Sequence, residues 1–71
     1  MTYKLVLKDL DKESEPGIWK LAVVDSEKIE DKTMDECLAI IGNLYLEEGI
    51  KGNRLKIIDN SKNIDSLNFP A

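Results

Sequence analysis

There is no histidine in the chain, and Cys37 is its single cysteine. The first absence removes the commonest general base near neutral pH. The second excludes a disulfide within one chain. Together they exclude an ordinary structural zinc site, which takes four nitrogen or sulfur ligands. No long apolar run is present: the longest, Cys37 to Ile41, falls far short of the roughly 20 residues of a membrane helix. The N-terminus runs straight into an alternating segment, with no apolar core and small-residue cleavage site, so no signal peptide is expected. The four glycines, at 17, 42, 49 and 52, form no phosphate-cradling loop. Asp9, Asp11 and Glu13 have the alternate spacing of a calcium loop, but Ser14 stands where that loop needs glycine and Lys20 where it needs a bidentate glutamate. No cofactor and no metal are expected, and a cytoplasmic, soluble protein is.

Cys37 lies in the first turn of the predicted helix, where a dipole can lower a thiol pKa. Its inward position beside Leu38 and Ile41 reads instead as a buried structural residue. The many carboxylates sit on loops without a pocket around them. The sequence therefore predicts a protein that is not an enzyme.

What the chain does contain is charge and enough apolar residues for a core. Fourteen acids against ten bases give a net charge of −4, and 42% of the residues are hydrophobic. That balance disfavours long-range attraction to nucleic acid or an anionic membrane and is too apolar for disorder. Seventy-one residues make one domain, whose core leaves a net stability of roughly 3–5 kcal/mol.

Residues 3–8 alternate as a strand, and residues 18–24 are rich in β-branched and aromatic types. The polar stretch between them ends in Pro16-Gly17 and reads as a long hairpin connection; residues 25–32 read as a second, charged connection. Thr33 and Glu36 fit a capping box, with acids in the first turn. Apolar residues at 34, 37, 38, 41, 44 and 45 then define a helical face, with Leu38 at its centre, and Gly49 stops the helix, with Ile50 folding back onto Tyr45. Gly42 inside the helix costs about 1 kcal/mol against alanine. Residues 54–58 alternate as a third strand, and 60–71 read as an irregular tail. The expected fold is α+β: a small ββαβ domain over residues 1–59, with a three-stranded antiparallel sheet in the order 3-1-2 and one helix packed on one face.

Period-2 alternation sorts the strands into two faces. Tyr3, Leu5, Leu7, Trp19, Leu21, Val23, Leu55 and Ile57 are assigned to the helix side, with Leu21 central. The opposite face takes Lys4, Val6, Lys8, Ile18, Lys20, Ala22, Val24, Arg54, Lys56 and Ile58, holding half of the basic residues and no acid. Of these, Lys4, Val6, Lys8, Lys20, Ala22, Arg54, Lys56 and Ile58 are one candidate partner surface. The acidic side is the other: Glu27, Glu30, Asp31, Asp35, Glu36, Glu47 and Glu48.

The functional expectation is a small acidic protein-binding module. Size and charge alone suggest an inhibitor of a host protein, of the kind phage and mobile elements encode, its carboxylates standing in for phosphates. Two alternatives use the basic-aliphatic sheet face: a homo-oligomeric structural protein, such as a homodimer, and a nucleic-acid binder. The last is disfavoured, because Tyr3 and Trp19, needed for base stacking, point to the other side in this register.

Overall fold

Strand β1, Tyr3–Asp9, is the centre of the sheet; its continuous apolar run Leu5-Val6-Leu7 suits a strand covered on both faces at its middle, and the flanking lysines suit its ends. The structure, a computed structural model, describes residues 1–9 and 18–68. The expected hairpin turn at Pro16-Gly17, and Asp11 and Glu13 of the calcium-like spacing, lie outside the described residues.

β2 is Ile18–Leu21, β3 Val23–Val24, β4 Glu27–Lys28, and β5 Leu55–Asp59. β1 pairs antiparallel with β2 on one side and β5 on the other, giving the order β2-β1-β5. This is the expected antiparallel 3-1-2 arrangement. Helix α1, Met34–Glu48, packs on β1 and β5, making the α+β domain the alternation implied.

The connection read as 25–32 holds more structure than its charge suggested. β3 and β4 form a tight hairpin whose two turn residues, Asp25 and Ser26, both have positive φ, 52° and 68°, as a type I′ turn requires. The hairpin delivers Ile29 to the core. There three buried residues close a ring of backbone hydrogen bonds: the Ala22 N–H donates to the Leu5 carbonyl at 2.9 Å, Ile29 to Ala22 at 2.9 Å, and Leu5 to Ile29 at 3.0 Å. Leu5, Ala22, Ile29, Leu44 and Leu55 form the buried centre, with Leu7, Val24, Ile40, Ile41, Ile50 and Ile57 packed around it.

Two assignments of face need correction. Directly paired residues share a face. Lys20 pairs with Leu7, and Leu21 with Val6, while Trp19 pairs with Lys8. Strand two is thus one residue out of the expected register: Trp19 and Leu21 join the lysine face, and Lys20 and the buried Ala22 join the helix side. Val23 is exposed, and Val24 packs on the core. Residues 18–24 are apolar at both parities except for Lys20, so alternation alone could not choose between them.

The second correction is a rotation of the helix. Cys37, Ile40, Ile41 and Leu44 face the sheet, whereas Met34, Leu38 and Tyr45 do not. At 100° per residue the buried face is turned by about 50° from the expected one. The ends are as expected. Thr33 accepts from the Glu36 N–H at 3.2 Å, Glu36 accepts from the Thr33 N–H at 3.1 Å, and Gly49 adopts the left-handed conformation with φ 69°. Ile50 packs on the core, and its N–H donates to the Leu44 carbonyl at 3.3 Å.

The segment after β5 is not irregular throughout. Residues 60–68 include a 3₁₀ turn, Ile64–Leu67, that packs against β2. The Asn68 amide then clasps the backbone of Trp19: its oxygen accepts the Trp19 N–H at 2.7 Å, and its nitrogen donates to the Trp19 carbonyl at 2.9 Å. Alternate residues of an antiparallel ladder turn to the same neighbour. Ala22 turns its N–H to β1, so Trp19 presents its polar groups to the outer edge of β2. Asn68 therefore closes a strand edge that would otherwise invite pairing.

Candidate functional site

The lysine face of the sheet is less open than its sequence suggested. Val6 is fully buried and Ile58 nearly so, although the helix lies on the other side. In the segment 60–68, which packs against β2, Ile64 and Leu67 are half-buried. Arg54 is spent internally, its guanidinium donating to the Lys8 carbonyl at 3.1 and 3.3 Å. Lys56 lies with its Nζ 5.2 Å from the centroid of the Trp19 ring, a cation–π contact. Lys20 pairs with Asp9 at 3.1 Å on the helix side. Of the eight sheet-face candidates, Lys4, Lys8 and Lys56 remain on the open lysine face, Lys8 opposite Trp19 and Lys56 against its ring, while Val6, Ala22 and Ile58 are buried away from any partner.

The seven acidic candidates divide by what holds them. Glu27 pairs with Lys32 at 2.7 Å, and this contact raises the lysine pKa. Glu36 is engaged by the Thr33 backbone and hydroxyl, which hold its carboxyl below the usual range. Asp31 has a positive φ of 58° and gives its N–H to the Asn60 side chain at 2.7 Å, a turn function. Glu30, Asp35, Glu47 and Glu48 are exposed. Asp35 and Glu36 lie at one end of the helix and Glu47 and Glu48 at the other, about 18 Å apart by helical rise. They form two acidic ends, not a continuous ladder of charge.

Between those ends lies a surface that residue-by-residue charge reading missed. Met34 is 40% exposed, Leu38 54%, Tyr45 61% and Leu46 80%. Met34, Leu38, Gly42 and Leu46 are spaced at successive fours, one ridge of the helix surface, and Tyr45 lies beside it. The helix carries no lysine or arginine. A signal was present in the sequence: eight of the fifteen helical residues are apolar and larger than alanine. That is more than one stripe against a three-stranded sheet can bury.

Cys37 is the one cysteine of the chain. It is buried, and burial pushes its thiol pKa up, away from the thiolate. Among the described residues no group of three or more acidic or cysteine side chains could hold a metal, and no helix is long and apolar enough to cross a membrane. No family model, curated protein or solved structure matches the chain.

Proposed function

We propose that the chain is a protein-binding module without catalytic activity, and that its contact surface is the outer flank of α1. One observation carries this reading: Leu38, Tyr45 and Leu46 are all more than half exposed on one helix. Large apolar side chains grouped at the surface of a small protein mark interaction sites. Asp35 at one end of the patch and Glu48 at the other, placed beside it by helical spacing, supply the polar rim such patches usually have.

This modifies the carboxylate-mimic idea. Inhibition of a host protein remains compatible with the size and charge of the chain, but the contact would be apolar at its centre and acidic at its edges. Affinity capture from the source cells tests it. The wild-type chain should retain a partner through nuclease treatment, and Leu38→Glu with Leu46→Glu should release it while the circular dichroism spectrum is unchanged. Equal retention by the double variant would refute the surface.

A second reading draws on the corrected register. Trp19 shares a face with Lys4, Lys8 and Lys56, which is the composition of a single-stranded nucleic-acid contact. It is the weaker reading, because the Lys56 ammonium sits over the indole and Asn68 holds the strand behind it. Nuclease-sensitive capture, lost on Trp19→Ala, would favour it.

A further inference from the structure

Glycine in the middle of a helix normally has a local reason, and Gly42 has none among the described residues. A Cβ added there would meet nothing within 4 Å. The residue lies well inside the helix Met34–Glu48, so neither a cap nor a positive φ demands glycine. The sheet approaches α1 through Cys37, Ile40, Ile41 and Leu44, and Gly42 is exposed on another side. What surrounds it is the exposed apolar ridge. Leu38 stands one turn before it and Leu46 one turn after, so the ridge Met34, Leu38, Gly42, Leu46 has a notch at its third position.

The geometry points to a helix of another protein, basic and amphipathic, crossing α1 at Gly42. This rests on the outer flank of α1 being the binding surface. A missing side chain lets a second backbone or a large partner residue approach closely, and interaxial distance is set by the side chains at the crossing. Ridges at fours on two helices interdigitate at about −50°, and a crossing of that kind uses a short central contact, here one notch between two leucines. The charge selects the partner's composition. α1 carries no base. At about 100° per residue, Asp35 lies beside the ridge at one end and Glu48 nearest Tyr45 at the other, while Glu36 and Glu47 fall on the far side of the helix. A helix with lysine or arginine flanking its apolar stripe therefore meets one acid at each end. A second copy of α1 would set acid against acid in either orientation, which like-charge contact disfavours. Glu48 also opposes the helix dipole at the C-terminus, a local cost that a basic partner would offset.

The test uses the full chain and a labelled amphipathic helical peptide, leucines on one stripe and lysines elsewhere. Two control peptides have glutamate in place of lysine, or a central proline that breaks the helix. Anisotropy should report binding of the lysine peptide only. Leu38→Glu should abolish it, and Gly42→Leu should weaken it about tenfold or more, as blocking the centre of an interface does. Gly42→Ala should raise the urea midpoint of the free chain, because its Cβ has room and alanine favours the helix; this also shows that position 42 accepts a side chain without unfolding. If the lysine peptide fails to bind, or binds equally with proline or glutamate, the basic helical partner is wrong. If Leu38→Glu abolishes binding but Gly42→Leu does not change it, the crossing at Gly42 is wrong and the surface stands. If Leu38→Glu leaves binding intact, the surface itself is wrong. A dimer in sedimentation that Gly42→Leu dissolves would assign the notch to a second copy and overturn the proposal.

Discussion

Thr33 and Glu36 exchange side-chain and backbone hydrogen bonds at the start of α1, and this local pair contributes to the acid response of the fold. The Glu36 pKa is lowered from its ordinary value chiefly by the Thr33 backbone, then by its hydroxyl. That of Asp59 is lowered by the N–H and then the hydroxyl of Ser61. For a carboxyl whose folded pKa is depressed, the stabilisation is present above the unfolded value and lost as pH falls through the folded one. Lys32 has the opposite sign: raised first by its hydrogen bond to Glu27, it contributes below its ordinary value and loses that contribution as pH rises through the folded one. Stability should therefore be flat across neutral pH, falling below about pH 4 and again above about pH 10, near the ordinary carboxylate and lysine values. Thr33→Ala should cost about 1 kcal/mol and return the Glu36 carboxyl toward its ordinary titration. A carboxyl-detected NMR titration and a urea curve measure both; an unmoved Glu36 would mean that the box does not hold the carboxylate.

Single substitutions also separate the two sides of α1. Leu44 is buried against the sheet and Leu38 is more than half exposed. Leu44→Ala should destabilise by about 2–5 kcal/mol, close to the whole stability of so small a domain. Leu38→Ala should stay within about 0.5 kcal/mol. Urea midpoints decide, and a large loss at Leu38 would restore the unrotated helix read from the sequence.

At the scale of elements, what the sequence made legible was what local signals determine. The capping box and Gly49 bound the helix to the residue, and the alternation of 3–8 and 54–58 placed two strands correctly. Sheet order followed because a hairpin and a helical return leave few antiparallel arrangements. The register of β2 was not legible, since Ile18, Ala22 and Val24 are as apolar in kind as Trp19, Leu21 and Val23. Nor was the β3–β4 hairpin, whose Asp25-Ser26 turn lacks the glycine that usually marks a type I′ loop. The helix face was misjudged because its apolar residues exceed one stripe and periodicity cannot say which of two stripes meets the sheet. Of the candidate site, the acids were visible, and the apolar ridge between them was signalled only by the excess of apolar helical residues, which did not say where it lay. The clasp at β2 was also hidden, because one asparagine in a polar tail carries no pattern. Asn68→Ala should remove both bonds to Trp19, cost about 1 kcal/mol, speed hydrogen exchange at the Trp19 amide and redden the emission of this single tryptophan. Unchanged exchange would show that the tail does not hold the strand edge.

Across the whole molecule, the two sides differ in what they leave exposed. On the sheet side, Lys4, Lys8 and Lys56 share a face with a half-buried Trp19, and the aliphatics Val6 and Ile58 of that face are buried. The helix side exposes Leu38, Tyr45 and Leu46 between acidic ends. A chain with a net charge of −4 and an apolar flank of this kind is suited to a basic protein surface and poorly suited to a polyanion. The most direct measurement is a chemical-shift map of the isotope-labelled chain titrated with its captured partner. The account predicts that the perturbed amides cluster at Met34, Leu38, Gly42, Tyr45 and Leu46. Perturbations confined to Lys4, Lys8, Trp19 and Lys56, with α1 unmoved, would contradict it.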